Sequence, residues 1–310
     1  MRDVSSKKHT LRTARAQATL RVSPSTIPLI REGRIDKGDV LESSKVAAIW
    51  AAKNTAGILP YCHPIPVEHV RADFELGEDS IRVTVEVKSV YKTGVEMEAL
   101  TAASVAALNA YDMLKPIDEA LRIESVELIE KTGGKSSFLR PKTESYRAGI
   151  VVASDRAATG QYEDLSGPAA EERLWEFNIK TQSYTVVQDE VETIRQTVVS
   201  MSDAEKLDVI LVIGGTGVAP RDVTPEAVSP LLQVELPGIA EAIRSYGAER
   251  NPYAILSRSL AGIRGKSLIV CLPGSPHAVR ESLLAVFPAA LHVLDLLQEA
   301  SPEGASALHG

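Results

Sequence analysis

The feature that most constrains this chain is a change in how its apolar residues are spaced. In "IRVTVEVKSVY" (81–91), Ile81, Val83, Val85 and Val87 alternate with polar partners, the period-two signature of a strand with one buried face. After "FLRPKTESY" the alternation stops. "RAGIVVASD" and "LDVILVIGG" are continuous apolar runs closed by turn residues, as strands buried on both faces require. With a length of 310 residues, more than one typical domain, this change predicts two domains with a boundary near residue 143.

In the first half, "HVRADFEL" reads as the hairpin partner of the alternating strand, with "GEDS" as the turn. A helix is expected over "GDVLESSKVAAIWAAKNTAG", with Asp39 capping its start and Gly57 its stop. "TGVEMEALTAASVAALNAYDMLK" (93–115) reads as a second long helix and "RIESVELIEKTGG" as a further strand. The order α-β-β-α-β predicts helices on one face of an antiparallel sheet, an α+β ferredoxin-like domain over residues 1–143. In the second half, the helical patterns "PAAEERLWEFNI" and "DEVETIRQTVVSMSDAEK" alternate with the apolar strands. "KSLIVCLPGSPHAVRESLLAVFPAALHVLDLL" repeats strand, loop and helix. An α/β three-layer, Rossmann-like domain with a mostly parallel sheet is expected over 144–298, followed by a small polar tail, 299–310.

Composition narrows the class. No apolar run reaches the roughly 18 to 20 residues of a membrane span, so a soluble protein is expected. The opening "MRDVSSKKHTLRTARAQ" is basic but lacks the apolar stretch of a secretory signal, which predicts no export and a cytoplasmic location. Cys62 and Cys271 fall in different halves, so neither a disulfide framework nor a CxxC metal knot is available. Residues 1–140 hold 20 Lys+Arg against 19 Asp+Glu, leaving 14 against 22 for the rest; the acidic second half argues against nucleic-acid binding. Nine cations against three acids within residues 1–37 either form a solvated face or favour an anionic ligand.

Glu98 and Asp112 lie fourteen residues apart, close to a whole number of helical turns, and so share a face about 21 Å apart along the axis. One small-molecule site cannot easily use both from a single copy. If both ends are functional, the site combines the front of one subunit's helix with the back of another's, and the alanines let helices pack closely. Asp112 and Lys115 form an i, i+3 pair, readable as a surface ion pair or as a proton-transfer pair. Glu96 and Glu98 either complement the positive helix end or accept two N–H bonds from a guanine edge. Cys62 and His63 sit between prolines, a bend that would fix the imidazole, but two residues are too few for zinc. "KTGGKSS" (131–137) is no P-loop, because position 129 would have to be glycine and is Ile129.

"KGDVLESSKVAAIWAAKNTAGILPYCHPI", "TGVEMEALTAASVAALNAYDMLK" and "IEKTGGKSS" together resemble cyclic pyranopterin monophosphate synthase of molybdenum cofactor biosynthesis, over most of residues 3–137. The resemblance implies conversion of (8S)-3',8-cyclo-7,8-dihydroguanosine 5'-triphosphate into cyclic pyranopterin monophosphate and pyrophosphate. It also implies a ferredoxin-like fold and a homo-oligomer, a hexamer, with sites between protomers of this domain. By motif, it gives Lys37, Asp112 and Lys115 the proton-transfer and phosphate-handling roles, and Tyr61, Cys62, His63, Glu96, Met97 and Glu98 the substrate pocket. Leu114 stands where many relatives carry cysteine.

In "DVILVIGGTGVAPRDVTPEAV", Gly214, Gly215, Thr216 and Gly217 follow a buried strand, and their N–H groups and hydroxyl could cradle phosphate. Arg221 could hold phosphate and Asp222 Mg²⁺ at the carboxyl end of a parallel sheet; "LPGSPHAV" supplies a second loop entering a helix at Ser275. With "VASDRAATGQYEDLSGP", "VVQDEVETI" and "LSRSLAGIRGKSLIVCLPGSP", these motifs resemble molybdopterin adenylyltransferase and its binding-protein relatives over about 146–297. The resemblance implies Asp189 and Asp222 as catalytic or Mg²⁺-directing carboxylates. It places Ser154, Asp155, the 214–217 loop and Ser275 against nucleotide or pterin phosphate, with ATP and molybdopterin as substrates and no permanently bound cofactor. Two alternatives stay open: the second half as a non-catalytic molybdopterin-binding or scaffolding module, or the chain as a generic nucleotide-binding phosphotransferase.

Overall fold

The first strand of the protein is one that alternation of large apolar residues did not reveal. In the computed structural model, which describes residues 1–134 and 145–299, β1 (Thr10–Arg21) turns Ala14, Ala16, Ala18 and Leu20 inward, each at most 1% exposed. It is followed by α1 (Thr26–Arg31), α2 (Val40–Ile58), β2 (His69–Leu76), β3 (Ser80–Tyr91), α3 (Glu96–Leu114) and β4 (Arg122–Thr132). The sheet order is β2-β3-β1-β4, antiparallel throughout, with Ala16 opposite Val85 on one side and Leu128 on the other. The expected order α-β-β-α-β therefore lacked a central strand. Alanine carries little apolar signal, yet here its small size is what the position needs.

The Asp39 carboxylate caps α2 by accepting from Leu41 N and Glu42 N at 2.9 and 3.0 Å; the helix runs through Gly57 to Ile58 instead of stopping at the glycine. α3 buries Ala99, Ala102, Ala103, Ala106 and Ala107 against Ala48 and Ala52 of α2 and against Ala16, Val83 and Val85 of the sheet. These alanines thus serve close packing inside one fold, not packing between subunits as the spacing had suggested. A second apolar cluster joins Ile27, Ile30 and Ile35 to Met113, Leu114 and Leu121 beyond the end of the sheet.

The second unit begins at β5 (Tyr146–Ala153) and continues through α4 (Asp155–Ala158), α5 (Ser166–Trp175), β6 (Ile179–Val187), α6 (Val191–Val199) and β7 (Val209–Ile213). Then come α7 (Thr224–Val228), β8 (Val234–Glu235), α8 (Pro237–Ala248), β9 (Ala261–Arg264), β10 (Ser267–Leu272), α9 (Pro276–Val286) and α10 (Ala289–Glu299). Its sheet runs β6-β5-β7-β10-β9-β8; the first four strands are parallel, and β9 pairs antiparallel with both β10 and β8. β7 and β10 are buried along their whole length, with Leu211 and Leu272 in one core layer and Ile210 and Cys271 in the other. Apolar cores on both faces explain why these strands read as unbroken apolar runs.

The chain divides into Met1–Leu139 and Arg140–Gly310. The boundary expected at residue 143 lies outside the described residues, as do positions 300–310 of the expected tail. No single helix among the described residues is long and apolar enough to cross a membrane. Because Ala106 is fully buried where α3 meets its neighbours, Ala106→Leu is expected to destabilise the first unit by about 1–3 kcal/mol through overpacking. Chemical denaturation measures this, and an unchanged midpoint would mean that the interface has room for the larger side chain.

Candidate functional sites

The C-terminal end of α3 carries a three-residue ionic cluster. Lys37, in the segment between α1 and α2, donates from Nζ to the Asp112 backbone carbonyl at 2.7 Å and to Asp112 Oδ2 at 2.9 Å. Lys115 Nζ lies 2.7 Å from Asp112 Oδ1. Hydrogen bonds from Lys115 and then Lys37, reinforced by their charges, hold the Asp112 carboxyl down at about 2, while Asp112 raises Lys115 in return. All three side chains are 41–57% exposed, so a ligand can reach them.

The N-terminal end of the same helix differs in environment. Glu98 is 3% exposed, and burial, with the neighbouring Glu96 charge adding, pushes its carboxyl up to about 7 against the bond from its own backbone N–H. Burial also raises the Cys62 thiol, and Glu98, within electrostatic reach, raises it further. Glu96 pairs with Lys131 at 3.2 Å and lies within electrostatic reach of Arg12, whose guanidinium is held lower by burial. Tyr61 is 81% and Met97 41% exposed, and His63 lies within electrostatic reach of Asp3.

The structure therefore gathers Lys37, Asp112 and Lys115 at one end of α3, and Glu96, Glu98 and Cys62 at the other. It does not bring the two ends together within one chain. Arg12 and Lys131 were missed by the motif reading. Arg12 had a signal: it continues the inward series Ala14, Ala16, Ala18, and a charge on the buried face of a strand needs a partner. The "KTGGKSS" segment is described only to Gly134.

In the second unit the candidate residues follow the carboxyl ends of four parallel strands: Ser154 and Asp155 after β5, Asp189 after β6, residues 214–217 after β7 and Ser275 after β10. That edge is where open α/β sheets bind ligands. Gly214 and Gly215 have φ of 101° and 58°, and a side chain on either would strike the Ala153 carbonyl or the Thr224 hydroxyl. Thr224 Oγ1 fastens the loop by donating to the Gly214 carbonyl at 2.8 Å. Gly215, Thr216 and Gly217, with Asp222, Ser275 and His277, line a cavity of about 530 Å³. Ser275 Oγ caps α9 from the Ala278 N–H at 3.2 Å, and Ser154 Oγ caps α4 from the Ala157 N–H at 3.4 Å.

Asp155 and Asp189 bind each other reciprocally: Asp189 N donates to Asp155 Oδ1 at 3.0 Å and Asp155 N to Asp189 Oδ2 at 3.2 Å. The remaining Asp189 oxygen, Oδ1, is buried and without a hydrogen-bond partner. Burial raises the Asp189 carboxyl, with the charges of Asp155 and Asp222 adding, while the Asp155 N–H and Arg221 oppose. Asp222 Oδ2 accepts from Ala219 N at 2.7 Å. Arg258, which the motifs left without a role, donates to the carbonyls of Gly217, at 2.7 Å, and Asp222, and pairs with Glu226.

No group of three or more His, Cys, Asp or Glu suited to a metal occurs among the described residues. An unpartnered buried carboxylate oxygen beside further carboxylates does fit a Mg²⁺ that arrives on nucleotide phosphates and keeps several waters; Asp189 and Asp222 would hold it.

Residues 1–134 match the model of the MoaC family, and residues 149–292 that of the probable molybdopterin binding domain. The molybdenum cofactor biosynthesis bifunctional protein of Chlorobaculum tepidum is 38% identical over 298 residues, covering 96% of this chain and 94% of its own. That of Synechococcus elongatus is 39% identical over 313 residues, covering 97% and 98%. The cyclic pyranopterin monophosphate synthase of Thermomicrobium roseum is 46% identical over 149 residues, 47% of this chain and 90% of its own. Matched along nearly its whole length and in both halves, the chain belongs to the family of molybdenum cofactor biosynthesis bifunctional proteins.

Proposed function

We propose that the first unit is a cyclic pyranopterin monophosphate synthase, acting on (8S)-3',8-cyclo-7,8-dihydroguanosine 5'-triphosphate, and that the second adenylylates molybdopterin with ATP. The observation that carries the first reading is the Lys37–Asp112–Lys115 cluster. Closing a cyclic phosphate expels pyrophosphate and needs fixed positive charge, which the two ammonium groups supply. Held near 2, Asp112 stays ionised at neutral pH and is a weak base; its work is to orient the lysines and keep Lys115 protonated. The group that titrates near neutrality is Glu98, suited to moving a proton during opening of the guanine ring. Because these groups sit at opposite ends of α3, a complete site joins two copies. A ferredoxin-like reading of this unit is supported by its β2-β3-β1-β4 order, and a hexamer by the exposed Val46, Trp50 and Leu108 on α2 and α3.

For the second unit, the glycine loop at 215–217 and the Asp189–Asp222 carboxylates support attack of the molybdopterin phosphate on the α-phosphate of ATP, with the α–β bond breaking and pyrophosphate leaving. Mg²⁺, when bound with ATP, neutralises charge on the phosphates. The Gly214 N–H is taken by the Leu272 carbonyl at 3.0 Å, so the N–H groups of residues 215–217 hold the phosphate; Ser275 orders the helix start beside it, and Arg258 keeps Asp222 and Gly217 in place. A second reading, a molybdopterin-binding module without transfer, would use the same loop and cavity. A cytoplasmic location accords with both reactions.

Asp112→Asn or Lys115→Ala is expected to lower pterin formation by about a hundredfold or more while leaving the circular dichroism unchanged, since both side chains are more than half exposed. Wild-type turnover in either variant removes the assignment. Glu98 generates a pH dependence. Between its unfolded value near 4.5 and its folded value of about 7, the folded state keeps a proton that the unfolded chain has lost. Stability should therefore fall as pH rises through that window, and the fall should be absent in Glu98→Gln; parallel melting curves for the two proteins across the window would contradict this. For the second unit, incubation with ATP, Mg²⁺ and molybdopterin should yield adenylylated molybdopterin, lost in Asp189→Asn and in Asp222→Asn. Absence of product with the wild type would leave the binding-module reading.

A further inference from the structure

Asp118 follows Lys115 in the turn that ends α3 and is 5% exposed. Its carboxylate accepts four hydrogen bonds. Oδ2 takes the Ser23 N–H and the Thr26 hydroxyl, each at 2.7 Å; Oδ1 takes the Ser23 hydroxyl at 2.8 Å and the Ala120 N–H at 2.9 Å. Its own N–H is bound to the Leu114 carbonyl at 3.1 Å, so the residue is fixed to the helix end that carries Asp112 and Lys115. Burial alone would raise this carboxyl, but the bonds from Thr26, Ser23 and Ala120 hold it below the usual carboxylate range.

Ser23 and Thr26 open the segment that leads through α1 to Lys37. Short of Lys37 itself, the segment is otherwise attached to this end of α3 by apolar contact, Ile27, Ile30 and Ile35 against Met113, Leu114 and Leu121, while Arg31 donates to the Leu76 carbonyl of β2 at 3.4 Å. Apolar contact draws the segment to the helix but does not fix its register, because it has no direction. Gly33 and Gly38, both at positive φ, let the backbone turn on either side of the stretch that carries Lys37. Directional bonds to a buried carboxylate supply what the apolar contact lacks.

We propose that Asp118 is a positioning residue that sets Lys37 in register with Asp112 and Lys115 through the Ser23–Thr26 anchor. This rests on reading the Lys37–Asp112–Lys115 cluster as a reaction centre. Asp118→Asn keeps the side-chain shape but turns an amide donor toward donors, so the anchor loosens.

The test is a double-mutant cycle on the full chain, with turnover measured well below every unfolding midpoint. Asp118→Asn is expected to lower kcat about tenfold or more, since a displacement of about 1 Å at a positioned group has effects of that order. Val83→Ala, in the other apolar cluster, should lose stability but keep wild-type kcat. In a Lys37→Ala background, Asp118→Asn should cost less than about twofold further, because the group it positions is gone. The Asp112 carboxyl, followed by carbon NMR, should titrate above its resting value of about 2 in Asp118→Asn and not in Val83→Ala. If Asp118→Asn does not fold, Thr26→Val and Ser23→Ala, each removing one donor, take its place. Equal losses in the two backgrounds, or an unmoved Asp112 titration, would overturn the proposal alone. Full turnover in Lys37→Ala would overturn the reaction-centre reading and this proposal with it.

Discussion

The first unit depends on how closely α3 approaches β1. Alanines on the helix meet alanines on the strand, so no long side chain separates the two backbones. Along the same helix the Glu98 side chain is buried and loses its water, while that of Asp112 stays exposed and keeps it. Two carboxylates on one helix face thus acquire affinities for a proton that differ by several pH units, with no difference in residue chemistry. Burial raises one; two ammonium groups lower the other.

This separation divides the chemistry along the helix. The exposed end is permanently ionic and suited to phosphate, and the buried end changes charge near neutral pH. Arg12 and Lys131 near Glu96 add cations beside the titrating end. Within one chain the geometry keeps the two ends of α3 apart.

In the second unit the governing constraint is the parallel sheet itself. Because its central strands are covered on both faces, polar groups collect at the strand ends, and four loops converge on the carboxyl edge. Positive-φ glycines let the 214–217 loop turn there without striking its neighbours. Asp155, Asp189 and Asp222 are gathered close enough to repel, a cost that a bound cation would relieve.

How much was legible in the sequence follows from which signals are local. Helix caps, hairpin turns and strand burial depend on neighbours a few residues away, so Asp39, the β2–β3 hairpin and the apolar runs of β5 and β7 could be read directly. The long motifs pointed to Lys37, Asp112 and Lys115, and the structure set all three within hydrogen-bond distance. The central strand β1 was not legible, because its inward residues are alanines whose burial pays off only against the alanines of α3. Nor were the partners Arg258 and Asp118, whose roles arise from contacts between segments distant in sequence. The sequence by itself determined which residues bear charge and which segments form helices and strands. Only the tertiary structure decided which carboxylates are dry, which are paired and which loops they fasten, because desolvation and hydrogen bonding depend on what the folded chain brings alongside.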